Sequence, residues 1–319
     1  MKILSLKFIA YSLRLITYII LSLFTLHSSQ LTAFSMNKDT GTTGANFLRL
    51  GVEARAVSMG EAASAVCSNS NAIHWNPACL VKVKEEEIGF THSVYLEGVN
   101  FDFLSFARKG FGLGLMYLDG GKIIRQEENT DGSYKGENGN FMVRDMSLSV
   151  GYASRVPGAD LVFGWAIKGI HQMNDKEEVK SFGLDIGGLY ELSNIPIKMA
   201  FVFQNLGRKI GISKKEEVKL PRDIKIGIGY CPNGSTIAMD LNFPNDNRCS
   251  FSIGGEMFIG SEHIFAIRCG YKYTPNDSDT FSGLSGGFGL RFSDFRIDYA
   301  ISSYGDLGST QRVSLAMQF

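Results

Sequence analysis

From residue 87 to the end of the chain, short segments place apolar residues at every second position, and turn residues separate one segment from the next. In the last segment, Val313, Leu315 and Met317 share one face of an extended strand. No segment after the first 35 residues is apolar for the roughly 20 residues that a membrane-spanning helix needs. If the chain is integral to a membrane, it must therefore cross as a closed β-barrel, whose strands hydrogen-bond one another around the ring.

The same alternation also occurs in a soluble β-sandwich, whose outer face is usually rich in charge. In this chain the second face is mostly glycine, serine and alanine with isolated charges; Ile226 and Ile228, for example, alternate with Gly227 and Gly229. Such a face fits the interior of a barrel better than a solvated surface. With 36 glycines, 12% aromatic residues and only 7 prolines, the composition favours many strands joined by tight turns.

About fourteen segments alternate in this way, and single-chain bacterial barrels have an even number of strands. Their centres lie near residues 90, 103, 114, 149, 165, 186, 200, 226, 239, 254, 268, 287, 298 and 314. Connections after even segments are short, whereas those after odd segments are often longer and polar, notably residues 119–141 and 206–219. Outer-membrane barrels have this arrangement, with their short turns in the periplasm. We therefore predict an all-β fold, an antiparallel transmembrane β-barrel of about 14 strands.

The first 35 residues have the order of a secretory signal peptide. Lys2, Lys7 and Arg14 precede or flank an apolar stretch, and small residues lie just before Met36. A retained membrane anchor is the alternative. The expected regions are a signal peptide (1–35), an N-terminal hatch or plug (36–86) and an outer-membrane barrel (87–319). The final Phe319 is similar to the terminal aromatic signature by which the barrel-assembly machinery recognises barrels for outer-membrane insertion.

Several functional classes find no support in the sequence. Lys+Arg 32 against Asp+Glu 32 gives no net charge, which argues against nucleic-acid binding. Nucleotide-binding, zinc-protease and serine-hydrolase motifs do not occur, so we expect no enzyme, no cofactor and no metal site. Cys67 and Cys79 are close enough in sequence for a disulfide, with unmodified buried thiols as the alternative.

Two segments before the barrel carry a family resemblance. One is Ala54-Arg55-Ala56 with Met59-Gly60, and the other is Trp75-Asn76-Pro77-Ala78. In these segments the chain resembles the FadL-like superfamily of outer-membrane long-chain fatty-acid transporters, and more closely its PorV-like branch. The resemblance implies a fourteen-stranded barrel whose N-terminal segment folds back into the lumen as a hatch.

The chain departs from this family pattern at three residues. Glu53 and Glu61 stand where the family tends to have small residues, and Cys79 stands where it usually has glycine. A cysteine is disfavoured at this position if the backbone needs a positive φ. The Asn76-Pro77 step agrees with the pattern and predicts a tight reversal, because Pro77 fixes its own φ and biases Asn76 away from helix.

We expect two sets of residues at the functional site. The hatch residues expected to contact a hydrophobic ligand are Phe47, Leu48, Leu50, Arg55, Met59, Gly60, Ile73, Trp75, Asn76, Pro77 and Ala78. The charges expected to face the lumen are Lys168, Asp185, Lys198, Lys225, Asp240, Glu256, Arg291, Arg296, Asp298 and Arg312. These charges are expected to pair with one another, with guidance of a ligand carboxylate as the alternative.

The leading functional hypothesis is uptake of long-chain fatty acids or other hydrophobic nutrients by diffusion through a barrel that the hatch gates. The second is a PorV-like partner protein that binds secreted substrates or secretion machinery without transporting small molecules. A surface scaffold or adhesin is the third, and loops of at most about two dozen residues argue mildly against it. All three place the protein in the outer-membrane bilayer.

Overall fold

The computed structural model is a closed antiparallel β-barrel with fourteen strands in its ring. It describes residues 40–175, 177–211, 217–260, 264–275 and 281–319. The ring follows chain order, and the first strand closes it against the last. The predicted transmembrane barrel of about 14 strands is confirmed. The signal peptide predicted for residues 1–35 lies outside the described residues.

Sixteen strands occur among the described residues, of which two form a separate small sheet. The ring consists of β1 (Glu87–Val94), β2 (Asn100–Arg108), β3 (Phe111–Glu128), β4 (Tyr134–Arg155), β5 (Leu161–Asn174), β6 (Glu177–Glu191), β7 (Ile197–Gly207), β10 (Asp223–Tyr230), β11 (Ser235–Pro244), β12 (Ser250–Ile259), β13 (Phe265–Tyr273), β14 (Leu284–Phe292), β15 (Phe295–Ser303) and β16 (Ser309–Gln318). The small sheet pairs β8 (Ile210–Gly211) with β9 (Glu217–Val218), inside the connection between β7 and β10.

The seam between β1 and β16 is continuous. Pairing runs from Glu87 opposite Gln318 to Val94 opposite Gln311. Beyond the last pair, the Phe319 N–H donates a 3.0 Å hydrogen bond to the Glu86 carbonyl. The C-terminal strand is therefore fixed along its whole length, and the ring has no free strand edge at this seam.

Each strand of the ring turns one face outward and one inward. On β5, Phe163 and Trp165 are exposed, whereas Gly164, Ala166 and Lys168 are buried. The exposed apolar side chains continue around the ring on neighbouring strands. A continuous apolar outer surface would be unstable in water, and it matches the hydrocarbon core of a bilayer. This surface is what places the barrel in a membrane.

Ile226→Lys on β10 is expected to destabilise the barrel by about 2–4 kcal/mol, the cost of a cation near the bilayer midplane. Ile226 lies in the middle of its strand, and its side chain is 45% exposed on the outer face. Urea unfolding in lipid vesicles measures the change. Ile123→Lys is the control, because Ile123 is similarly exposed (39%) but lies on β3 beyond the end of the ring.

The connections differ on the two sides of the barrel. Those after even strands are short, as predicted, but the long loop predicted for residues 119–141 is wrong. β3 continues to Glu128 and β4 begins at Tyr134, so the two strands form a hairpin that protrudes beyond the ring. Asp119-Gly120-Gly121 has the composition of a turn, but in the structure it forms a β-bulge between Asp119 and Lys122. The two sides are called the long-loop end and the short-turn end below.

Residues 40–86, called the inner segment, contain short helices only. They are α1 (Ala54–Ser58), α2 (Ala72–Trp75) and 3-10 turns at Asn46–Arg49 and Pro77–Lys82. Two further 3-10 turns, Leu96–Gly98 and Gly305–Leu307, lie in strand connections. No helix among the described residues has the length and apolarity needed to cross a bilayer.

The inner segment runs from one end of the barrel to the other. At the long-loop end, the Gly41 N–H donates to the Asp246 carbonyl and the Gly44 N–H donates to the Lys219 carbonyl. At the short-turn end, Lys82 pairs with Glu191, the last residue of β6. The segment therefore enters at the long-loop end and leaves at the short-turn end, where it continues into β1.

Candidate functional site

Inward-facing glycines allow the inner segment to contact the barrel wall through its backbone. A β-carbon on Gly254 or Gly270 would collide with the backbone of Met59, and one on Gly164 would collide with the backbone of Ala78. Only glycine permits this approach. The glycine-rich inward face that the sequence shows thus serves to receive the segment.

Asn76 and Pro77 lie at the closest of these contacts. The Asn76 side chain is fully buried, and its Nδ2 donates to the Ser64 carbonyl at 2.8 Å and to the Gly188 carbonyl at 3.3 Å. Its Oδ1 accepts from the Ala78 N–H at 3.0 Å, which caps the 3-10 turn that begins at Pro77. The Asn-Pro step is therefore fixed on both sides by hydrogen bonds.

The apolar residues predicted to contact a ligand are packed as a core. Phe47, Leu48, Met59, Ile73 and Trp75 are all buried, and Leu50 packs against them. Leu48 and Ile73 border a cavity whose volume of about 10 Å³ is that of a single water molecule. In this state, these side chains hold the segment in place. The cavity beside Leu48 and Ile73 is too small for a fatty acid.

The inward charges of β12, β13 and β15 form an ionic chain with the inner segment. Arg55 donates to both carboxylate oxygens of Glu256, each at 2.8 Å. Arg268 joins Glu256 and Asp298 at 2.7 Å each, and Arg296 donates to Asp298 at 3.0 Å. Since charged pairs out of water need such hydrogen bonds to offset their desolvation, the chain stabilises Arg55 in its docked position against the wall.

Three more of the predicted lumen charges have partners. Lys168 pairs with Asp185 at 2.7 Å and donates to the Asn205 side chain at 2.9 Å. Asp240 accepts hydrogen bonds from the backbone N–H and the hydroxyl of Ser64, at 2.9 and 2.6 Å. Asp240 is thus a second point at which the wall holds the inner segment.

Among the described residues, no ion pair joins the remaining predicted charges to this chain. Lys225 lies over the Trp75 ring at 5.3 Å, and Arg312 lies 5.8 Å from the Tyr95 ring. Arg291 is exposed and lies 5.9 Å from the Phe258 ring. Lys198 is half-buried on β7. The structure therefore brings Glu256, Arg296 and Asp298 together with Arg55 and distributes the other predicted charges along the wall.

Sequence reasoning missed several residues of the interface. Arg268 was not selected, although it lies opposite Glu256 on the neighbouring strand. The ion pairs that join Lys82 to Glu191 and Glu61 to Lys272 were missed as well. Each pair joins residues distant in sequence. The one signal in the sequence was the presence of acidic residues in a segment otherwise rich in alanine and glycine.

The two acidic residues that depart from the family pattern have different environments. Glu53 is buried and accepts a 2.6 Å hydrogen bond from Asn69. Glu61 instead forms an ion pair with Lys272 of β13. This ion pair holds the inner segment against the wall.

The strain anticipated at Cys79 does not occur. Cys79 lies in the 3-10 turn Pro77–Lys82 and has no positive φ, whereas Glu61 does, at 64°. Cys67 and Cys79 are free thiols, and both sulfurs lie within 4 Å of the Ser64 carbonyl oxygen. Among the described residues, no group of His, Cys, Asp or Glu is arranged to hold a metal ion.

The chain is similar to one protein family and to solved β-barrel structures. A family model described as "Type IX secretion system protein PorV" matches residues 34–233. Among solved structures, the deltaS2S3 mutant of the monoaromatic hydrocarbon channel TodX aligns with a TM-score of 0.61 at 14% identity. The alignment covers 84% of this chain and 99% of that one.

The toluene transporter TodX of Pseudomonas putida aligns with a TM-score of 0.58 at 13% identity, over 84% of this chain and 96% of that one. No curated protein matches the chain. At these identities the solved structures show the fold alone. The resemblance to PorV-like proteins, noted at both short motifs, is confirmed by the family model, and the solved structures share the barrel fold.

Proposed function

Because the chain belongs to the PorV family of type IX secretion system proteins, we propose that it binds exported proteins or secretion machinery at the outer membrane without transporting small molecules. It is an outer-membrane β-barrel of the FadL-like kind. In this function the barrel is a membrane-embedded scaffold, and its outer loops and hairpins contact the partner. Since family and fold are of a non-enzymatic kind, we expect no catalytic activity.

The observation that supports this proposal most directly is the filling of the lumen. The inner segment contacts the wall through backbone, ion pairs and a buried core. Two cavities at its surface, of about 10 and 110 Å³, are both below the roughly 300 Å³ at which pockets for small organic ligands begin. A barrel closed in this way supports partner binding better than diffusion.

The protruding part of the β3–β4 hairpin offers a surface for such a partner. Its exposed apolar side chains include Ile124, Met142 and Tyr134, and Tyr134 is 63% exposed. These residues lie on the part of the hairpin that extends past the last pair of β2 with β3. Exposed apolar groups outside the membrane are typical of protein interaction sites.

Photo-crosslinking in cells tests the proposal. A photoreactive amino acid at Tyr134 is expected to give covalent adducts with exported proteins, whereas the same residue at the lipid-facing Phe163 of β5 is expected to give none. Deleting the gene should retain those exported proteins in the periplasm. Unchanged release after deletion, or adducts at Phe163 equal to those at Tyr134, would contradict the proposal.

Uptake of long-chain fatty acids or other hydrophobic nutrients is the second candidate, and the fold shared with the hydrocarbon channel TodX favours it. Here the inner segment acts as a hatch, and opening requires the pair Arg55–Glu256 to separate. The partners are then the bilayer and a hydrophobic ligand, while Phe319 serves recognition by the barrel-assembly machinery. Liposomes containing the purified barrel should pass a labelled fatty acid. If a known transporter passes it and this barrel does not, uptake is ruled out.

A further inference from the structure

Two cysteines of the inner segment lie side by side in the lumen. The Sγ atoms of Cys67 and Cys79 lie 3.9 and 3.7 Å from one atom, the Ser64 carbonyl oxygen. The two side chains are also within hydrogen-bond distance of each other. Both residues are buried, so their thiols are shielded from solvent. Two cysteine side chains in contact are close enough for a disulfide bond.

The fold makes little use of the two S–H groups. A thiol is a weak donor, and the Ser64 carbonyl already accepts a 2.8 Å hydrogen bond from Asn76 Nδ2. Loss of both thiol protons would therefore leave this carbonyl paired. Because Cys79 stands where the family pattern usually has glycine, the cysteine pair is a feature of this chain and not of the shared motif.

Residues 67–79, called the cysteine loop, contact the wall on both sides of the lumen. The Ser70 N–H donates to the Glu87 carboxylate of β1 at 2.8 Å. The Gln204 side chain of β7 donates to the His74 carbonyl at 2.6 Å. Since β1 and β7 lie on nearly opposite sides of the ring, the cysteine loop spans the lumen.

We propose that Cys67 and Cys79 form a disulfide that closes the cysteine loop covalently. Outer-membrane proteins pass through the periplasm, an oxidising compartment in which disulfides form and persist. One thiolate attacks the disulfide of a periplasmic thiol–disulfide oxidoreductase, and the second thiolate then displaces that protein from the mixed disulfide. The cysteine pair loses two electrons and two protons, and the oxidoreductase takes up both as its dithiol. Because the docked thiols are buried, this exchange precedes closure of the barrel.

The disulfide divides the inner segment into two parts. The cysteine loop has a covalent closure, which lowers the entropy that it gains on unfolding. Residues 40–66 are held by non-covalent contacts, which include the ion pairs of Arg55 with Glu256 and of Glu61 with Lys272. Any displacement of the inner segment therefore begins in residues 40–66, while the cysteine loop stays across the lumen.

Mass spectrometry of the full-length protein, purified from outer membranes without reductant, tests whether the bond forms. The protein is unfolded, treated with N-ethylmaleimide and digested with trypsin, which leaves both cysteines in peptide 56–82 because no Lys or Arg separates them. We expect this peptide to be unlabelled and two hydrogens lighter than the dithiol. The internal controls are Cys231, Cys249 and Cys269, which fall in three other peptides and should be labelled. A peptide 56–82 without this loss of mass would overturn the proposal.

Chymotrypsin cleavage after Trp75 in the folded, detergent-solubilised barrel tests whether the bond holds the cysteine loop. We expect Cys67→Ser to be cleaved at least about tenfold faster than the wild type, because its loop gains more entropy on unfolding. Cys269→Ser is the control, since Cys269 is exposed on β13 and should be cleaved at the wild-type rate.

Wild-type protein refolded from urea with a reductant separates the bond from the packing of the side chains. It keeps both cysteines but lacks the disulfide, and we expect it to be cleaved as fast as Cys67→Ser. If this reduced protein is cleaved as slowly as the oxidised wild type, side-chain packing alone holds the cysteine loop and the proposal is wrong.

Discussion

Arg268→Met is expected to lower the free energy of unfolding by about 3–5 kcal/mol, because it leaves buried carboxylates without their shared partner. Arg268 is almost fully buried and bonds to Glu256 and Asp298, each at 2.7 Å. Glu256 would keep only Arg55, and Asp298 would keep only Arg296. Urea unfolding in micelles, followed by tryptophan fluorescence, measures the loss.

Arg291→Met is the matched control for this experiment. Arg291 belongs to the neighbouring strand β14, but it is exposed and its charged group lies over the Phe258 ring. Removing an exposed cation is expected to change stability by less than about 0.5 kcal/mol. If Arg268→Met costs no more than Arg291→Met, the ionic chain in the lumen does not stabilise the fold.

Gly254→Val is expected to displace the inner segment while the barrel itself remains folded. Any β-carbon at this position collides with the Met59 carbonyl and side chain, so residues near Met59 must leave the wall. Conductance in planar bilayers is expected to rise by about tenfold or more, because the lumen of an unplugged barrel of this size fills with water. Protease added to the purified protein should also cleave the displaced segment faster.

Gly255→Val provides the control, since the two glycines are adjacent on β12 and face opposite ways. A β-carbon on Gly255 approaches nothing closer than the Thr236 carbonyl at 4.0 Å, and it points toward lipid. This variant should conduct as the wild type does. A Gly254→Val barrel that is folded and as closed as Gly255→Val would show that the segment does not depend on this contact.

The barrel was predictable from the sequence because a strand's side chains alternate with a strict period of two. One shift of register would expose every inward residue, and hence Ile226, Gly227 and Ile228 could be assigned to their faces without a structure. The outer part of the β3–β4 hairpin was not predictable in this way. Beyond the membrane both faces meet water, so residues near Ile123 and Ile124 lack the alternation that marks a strand.

The docking of the inner segment depends on contacts that no periodicity encodes. The sequence placed Glu256 and Arg296 on the inward face, but Arg55 and Glu256 are about two hundred residues apart, and nothing local aligns them. The pairing of Arg268 with Glu256 could have been predicted, because residues opposite each other on adjacent strands can be paired once the register is known. The motif around Arg55 indicated which part of the chain forms the inner segment. Only the fold shows which carboxylate binds the Arg55 side chain.

The lengthwise path of the inner segment constrains the order in which the molecule is made. The two ends of the segment lie at opposite ends of the barrel. The ring is closed by hydrogen bonds between Glu87–Val94 and the last strand. Threading the segment afterwards would force Trp75 and Phe47 past a wall that already collides with a single added methyl group. We therefore expect the sheet to close around an inner segment that already lies in the lumen. On this route, the first and last strands pair only after the segment is enclosed.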